Sequence, residues 1–232
     1  MEYMNNFTNF ISDPLIMQIF IAILETFELI LIPGFFAILL GGLLGLILFM
    51  LRPDQLFYPN SSSKLYFYKF LDFIVNTGRS LPFIILMIAI LPFTRFIAGT
   101  TIGTLAACVP LTVAAVPFMA RIVENACLNV SHGVIEAANS MGASTKQILW
   151  YVILPESRIN IINGIGIMLI ALVGYSSMAG TLAGGGLGAL AFNYGYQRFD
   201  NKIILITVLL ILLIVQILQY MTNYLCKYYS HK

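Results

Sequence analysis

Five long apolar stretches, separated by shorter polar ones, run along this chain, and each approaches the ~20 residues that an α-helix needs to cross a bilayer. The first predicts a helix over 17–51, longer than a crossing requires. It carries Glu25 and Glu28 near its start and Pro33-Gly34 inside, and its uncharged part, 29–51, is enough to span. Arg52-Pro53-Asp54 closes it, and a polar loop with Asn60-Ser61-Ser62-Ser63-Lys64 follows. A second span is expected over 70–91, with Arg79 and Pro82 in its first half; Pro92-Phe93-Thr94-Arg95 then reads as a short turn into a third span over 97–119. Pro110 and Pro117 predict that this third helix is kinked or broken, because each removes a backbone donor and crowds the preceding turn. The fourth span is expected over 159–182 and the fifth, the most uniformly apolar, over 203–225. The pattern predicts an all-α integral membrane fold of five transmembrane helices, one domain over 1–232 with its core at about 20–220.

One polar stretch is too long and too patterned to be a simple link. Residues 128–158 hold Asn129, Ser131, His132, Glu136, Asn139, Ser140, Ser144, Thr145, Lys146, Gln147, Glu156 and Arg158, which cannot sit in hydrocarbon. Two short amphipathic helices are expected there, 134–141 and 145–154. Gly142 falls between them, where a left-handed backbone is cheap only for glycine. Pro155 is expected to stop the second piece and open the fourth span. Such a helix–glycine–helix platform at the end of a span is a docking surface for a soluble partner. Glu136 is its most informative residue: the carboxylate can meet a basic group or backbone donors of that partner. The plainer alternative is that it solubilises the loop or caps the helix near His132 and Gly133.

Composition strengthens the membrane reading. Of 232 residues, 59% are hydrophobic and 9% charged, against about 25% charged in soluble domains, and mean hydropathy is +0.91. Length and composition lead us to expect one helical bundle without an added soluble domain. A formal net charge of +2, without a basic run or interleaved aromatic and basic residues, argues against a nucleic-acid partner. Met1-Glu2-Tyr3-Met4-Asn5-Asn6 lack the basic stretch that opens a secretory signal, so no cleavage is expected. Cys108, Cys127 and Cys226 stand apart without metal-ligand spacing and read as small apolar residues. Basic residues are unevenly spread. Loops after spans one and three and the C-terminal tail hold Arg52, Lys64, Lys69, Arg121, Lys146, Arg158, Lys227 and Lys232; the opposite side holds Arg95, Arg198 and Lys202, and the N-terminal tail only the acids Glu2 and Asp13. Because basic loops stay in the cytoplasm, the N-terminus is expected outside and the C-terminus inside, with 128–158 cytoplasmic.

On that side of the membrane the order Glu136-Ala137-Ala138, three residues, Gly142, nine residues, Val152, one residue, Leu154-Pro155 becomes specific. It resembles the signature of the permease family of bacterial ABC importers, which has isoleucine where Val152 stands; the swap keeps a β-branched apolar side chain. Arg79-Ser80-Leu81-Pro82-Phe83-Ile84-Ile85-Leu86, Pro92-Phe93-Thr94-Arg95, Val109-Pro110-Leu111-Thr112, Ala120-Arg121-Ile122-Val123-Glu124-Asn125-Ala126, Val173-Gly174-Tyr175-Ser176 and Gly185-Gly186-Leu187-Gly188 are similar to the methionine branch of that family. The resemblance covers the chain from first span to fifth and is weakest in residues 1–20 and around Asn60 to Lys64. It implies the type I importer permease fold in a bacterial inner membrane. It implies that Glu136, Ala137, Ala138, Gly142, Leu154 and Pro155 belong to a coupling segment seated in a cleft of an ATP-hydrolysing subunit. The implied assembly is two copies of this chain, two of that ATPase and an extracytoplasmic methionine-binding protein. The implied cargo is methionine, D-methionine included; an importer of the same architecture for another small amino acid or an organic anion is the alternative.

The remaining motifs are weaker. Gly184-Gly185-Gly186-Leu187-Gly188 is not followed by Gly-Lys-Ser or Gly-Lys-Thr, so it reads as close helix approach and a turn at the outer end of span four, not as a phosphate loop. The chain is therefore expected to hold no nucleotide and no cofactor and to be no enzyme, ATP and Mg belonging to the partner subunit. An intramembrane enzyme would need a nucleophile with a base, paired aspartates or a histidine cluster; His132 and His231 lie outside the spans and no span carries two aspartates. Glu25 and Glu28, three apart on one helical face, are placed at the outer interface, since a charge at the bilayer centre costs roughly 2.5–3.5 kcal/mol; they are structural or lie on the route. Arg79 snorkels to the cytoplasmic headgroups or pairs with Glu124 or Glu136. Arg121 and Glu124, at i,i+3, read as a helix-end ion pair. Most hydroxyls in the spans are expected to bond back to helix carbonyls. Thr112, Tyr175, Ser176 and Met178 are candidates for the route, because Pro110 and Gly174 beside them leave backbone groups free to meet a zwitterion.

Overall fold

The structure, a computed structural model, describes residues 14–53 and 62–230. Met1 to Asn6, Asp13, Asp54, Asn60, Ser61, His231 and Lys232, on which parts of the charge and loop readings rest, lie outside the described residues. Regular structure among the described residues is helical throughout. Helix α1 (Pro14–Phe36) passes through a π-turn at Ala37–Gly41 into α2 (Gly42–Leu51); α3 (Ser62–Ser80), α4 (Phe83–Ala89) and α5 (Leu91–Ala98) follow. Then come α6 (Thr104–Leu128), α7 (His132–Ser140), α8 (Thr145–Ile148), a π-turn at Leu149–Ile153 and α9 (Leu154–Ala179). A further π-turn at Gly180–Gly184, α10 (Gly186–Leu190), a π-turn at Ala191–Tyr196 and α11 (Asn201–Ser230) complete the order.

Leu15–Leu51, Thr104–Leu128, Thr145–Leu182 and Asn201–Ser230 are long and apolar enough to cross a membrane, and Ser63–Ser80 with Phe83–Ala89 makes a fifth span when taken as one broken crossing. The all-α, five-span architecture is therefore as expected, but four local readings are corrected. The second span does not run through: α3 stops at Ser80 and α4 restarts at Phe83, because Pro82 biases Leu81 away from helical angles. Pro92-Phe93-Thr94-Arg95 is not a turn but the start of α5, with proline in the first helical positions where its missing N–H costs nothing. The third span is unbroken and lies later, its helix running over Thr104–Leu128 through both Pro110 and Pro117; membrane helices tolerate proline where neighbouring groups re-satisfy the freed carbonyls. Pro155 does not stop the second polar helix either, a point that bears on the site below.

The chain forms two compact units. Unit 1 comprises Met1–Pro33, Pro82–Thr112 and Ile170–Ile217; unit 2 comprises Gly34–Leu81, Val113–Leu169 and Leu218–Lys232. In unit 2, Leu48, Val75 and Ala120 form a buried cluster that joins α2, α3 and α6, with Leu44, Tyr68 and Leu71 packed on it. The approach of the first span to α6 depends on Gly41 and Gly45, spaced as small residues are at close membrane-helix crossings. A Cβ on Gly41 would meet the Val116 carbonyl oxygen at 2.6 Å, and one on Gly45 would run into the Ala120 carbonyl. Within unit 1, Leu29, Ile30 and Leu187 are buried, and the ring of Phe83 stacks on Tyr175 at 5.0 Å.

Candidate functional site

The polar segment of unit 2 is built from two capping motifs set back to back. Helix α7 ends where Gly142 takes φ +79. There Ala143 N–H donates to Ala138 O at 3.2 Å and Gly142 N–H to Asn139 O at 2.9 Å, the paired bonds that close a helix through a left-handed residue. This explains the spacing from Ala138 to Gly142: the turn through Gly142 satisfies the carbonyls of both Ala138 and Asn139. Only Ala143 separates that end from the next start. Ser144 N–H donates to Gln147 Oε1 at 2.8 Å, and Gln147 N–H returns a bond to Ser144 Oγ at 3.4 Å, a reciprocal cap on α8. The helix–glycine–helix reading holds, with α7 beginning at His132 and not at residue 134.

Apolar side chains root this segment. Ile135, Ile148, Leu149 and Ile153 are buried, while Glu136, Ala137 and Gly142 are exposed and Ala138 is half-buried. Met141 is 85% exposed, so the turn presents a large apolar side chain next to an acid. Glu136 has no hydrogen-bond or ion-pair partner among the described residues and is free to meet one from outside the chain. Pro155 sits inside a continuous helical run, half-buried Leu154 before it and its own ring exposed. The π-turn Leu149–Ile153 makes this possible: Leu154 N–H reaches back to Leu149 O, and the widened turn relieves the clash a proline ring makes with the carbonyl four residues earlier.

The four route candidates all lie in unit 1. Thr112 Oγ1 donates to Cys108 O at 2.7 Å, within α6. Ser176 is 3% exposed and its hydroxyl donates to Val173 O at 2.8 Å. Tyr175 stacks on Phe83, and Met178, three residues on, is exposed on α9. Among the described residues no hydrogen bond joins Thr112 to the other three.

Two charge readings change. Arg79 pairs with neither Glu124 nor Glu136; its guanidinium lies over the Phe118 ring, 5.8 Å from the centroid. Glu124 is instead fully buried between Arg121 and Arg52, and Arg121 also holds Asp72. The Arg121–Glu124 pair is real but is not a solvated helix end, since α6 continues to Leu128. Asp72 is the member of this cluster that sequence reasoning misses, although an acid inside the apolar run of α3 is a signal that could mark it.

A family model described as "Binding-protein-dependent transport system inner membrane component" matches residues 59–227. The chain belongs to that family. The match spans α3 to most of α11, including all ten candidate residues, whereas Glu25 and Arg52 precede it. This family member is a multi-pass inner membrane protein. It is 44% identical over 208 residues to the probable D-methionine transport system permease protein MetI of Vibrio cholerae serotype O1, covering 90% of each chain. It is 45% identical over 169 residues to the D-methionine transport system permease protein MetI of Escherichia coli strain K12, covering 73% of this chain and 76% of that one. A chain of the MetNI methionine ABC transporter, in an inward-facing conformation, superposes with a TM-score of 0.88 at 38% identity over 94% of this chain and 99% of its own length. A chain of an amino acid ABC transporter with histidines shares the fold, at a TM-score of 0.73 and 17% identity.

Proposed function

We propose that this chain is the permease subunit of an ATP-driven importer that moves methionine, D-methionine included, across the bacterial inner membrane. The observation that carries the mechanism is the exposed Glu136, without a partner among the described residues, on a short helix whose end is fixed by Gly142 and whose underside is rooted by Ile135. The family assignment supports a subunit that works with a separate ATPase, and the two relatives named for D-methionine transport support the cargo.

In this reading two copies of the chain join two ATPase subunits, which bind ATP and Mg, and an extracytoplasmic binding protein delivers the amino acid. The N-terminus faces outward and the C-terminus the cytoplasm, a reading supported by the excess of basic residues on the α7 side. ATP draws the ATPase pair together, and each α7 moves with the cleft that holds it. The permease then shifts from inward- to outward-facing, driven by the difference in nucleotide affinity between the two states. Cargo passes residues such as Thr112, Tyr175, Ser176 and Met178, and hydrolysis resets the gate. Reconstituting the chain with its ATPase and binding protein, and measuring which amino acids stimulate hydrolysis and accumulate, tests this. Methionine stimulation is expected; stimulation only by another small amino acid or an organic anion would overturn the cargo, and hydrolysis by the purified chain alone would overturn the division of labour.

A further inference from the structure

Four charges meet inside unit 2 close to the coupling segment. Arg121 donates from Nη1 to Glu124 Oε2 at 2.6 Å and from Nη2 to Asp72 Oδ1 at 2.6 Å and Asn76 Oδ1 at 2.7 Å. Asn76 in turn donates to Asp72 Oδ2 at 3.0 Å. Arg52, just past the end of α2, reaches Glu124 Oε1 at 3.5 Å. Glu124 has no exposed side-chain surface and Arg121 little, whereas Arg52 is 39% exposed. The cluster is neutral, two bases against two acids, and it ties α6 both to α3 and to the end of the first span.

Stability alone does not explain charges here, because well-packed apolar side chains in the same volume are often as stabilising as a buried ion cluster. What the charges add is direction. A planar guanidinium held by three oxygens fixes distance and orientation in a way that apolar packing does not. The helix that carries Arg121 and Glu124 ends at Leu128, and Asn129, Val130 and Ser131 alone lead from it into α7. A displacement of α7 therefore pulls first on the end of α6 that holds the cluster.

We propose that Arg121 and Glu124 are positioning residues for coupling: they lock α2, α3 and the adjoining part of α6 into one body, so that movement of α7 is transmitted and not absorbed. This rests on the reading of α7 as the segment the ATPase moves. In the assembled complex, with the three native cysteines replaced, spin labels on exposed Asn139 and Lys69 report the distance from α7 to α3 inside one copy, and a label on Asn139 in both copies reports whether the two α7 helices approach. On adding ATP the copies are expected to approach while the Asn139–Lys69 distance stays single and unchanged. With Arg121→Met that internal distance should shift or broaden, and transport per ATP should fall on the order of tenfold, within the range by which coupling variants act. Arg52→Gln, which removes only the long outer contact, should assemble and loosen the distance partly. An internal distance that changes in the unaltered chain, or stays fixed in both variants, overturns the proposal alone. Copies that do not approach overturn the coupling reading and this proposal with it.

Discussion

Glu25 and Gly186 lie 161 residues apart in sequence and meet at 2.6 Å, the carboxylate accepting the Gly186 N–H. Thr26 Oγ1 accepts the next N–H, from Leu187, at 2.8 Å, and its own O–H donates to Ala22 O at 2.7 Å. Gly185 and Gly186 both adopt positive φ, +76 and +77, which turns these two donors toward α1. A Cβ on Gly185 would come within 2.8 Å of the same carboxylate oxygen. The glycine run is thus the counterpart of an acid in the first span, and Glu25 and Glu28, alike in sequence, differ in place: Glu25 is half-buried in this clasp and Glu28 is exposed.

The clasp makes a stability prediction. Glu25→Ala removes a charge-assisted bond and leaves a buried donor without a partner, for roughly 1.5–3 kcal/mol. Glu28→Ala should stay within about 0.5 kcal/mol. Thermal unfolding of the purified chain in detergent measures both; equal shifts for the two variants would mean that the clasp contributes nothing.

A second prediction contrasts two neighbouring glycines. Gly45→Ala places a methyl group against the Ala120 carbonyl and 2.8 Å from Val123 Cβ, so α2 must move off α6. Overpacking of this kind costs about 1–3 kcal/mol. Gly42→Ala, with nothing within 4 Å of the new carbon, should be neutral. The same detergent melts decide it, and a neutral Gly45→Ala would show that the crossing is looser than the structure has it.

These contrasts mark what the sequence makes legible. Long apolar runs fix five spans because the bilayer demands length, and Gly142 is readable because only one residue type takes its backbone angles cheaply. The effect of Pro155 is not legible, because a proline reports a missing donor but not how the chain absorbs it; the π-turn before it leaves no periodic trace. Pro82 does break its span while Pro110 and Pro117 do not break theirs, so the residue type alone does not tell the two outcomes apart. The partners of Glu124 and Glu25 are non-local, and nothing in local spacing chooses Arg52 over Arg79, or Gly186 over solvent.

Orientation gives a third prediction. A reporter active only outside the cytoplasm, fused at Asp200, should function, and the same reporter at Ser144 should not. Asp200 sits just before α11 and Ser144 caps α8, so both fusions enter exposed or half-exposed turns. Activity at Ser144 would place α7 on the wrong side for an ATPase and overturn the coupling reading.

The last prediction separates folding from coupling within α7. Gly142→Ala adds a methyl group that meets nothing within 4 Å, so its whole cost is the positive φ, roughly 1–2 kcal/mol. Gly142→Asn should cost less, because asparagine visits that region more readily than alanine. Glu136→Ala breaks no contact among the described residues, so the melting of the isolated chain should move by no more than about 0.5 kcal/mol. If the carboxylate is seated in the ATPase cleft, its removal should weaken that complex by roughly 1.5–3 kcal/mol, and each 1.4 kcal/mol is about tenfold in affinity. The two substitutions should therefore part company: Gly142→Ala lowers the melting temperature of the isolated chain, whereas Glu136→Ala leaves it in place and loses the ATPase on co-purification, with transport falling in step. An isolated chain destabilised by Glu136→Ala, or a complex that retains its ATPase without this carboxylate, would show that the acid serves the loop and not the partner.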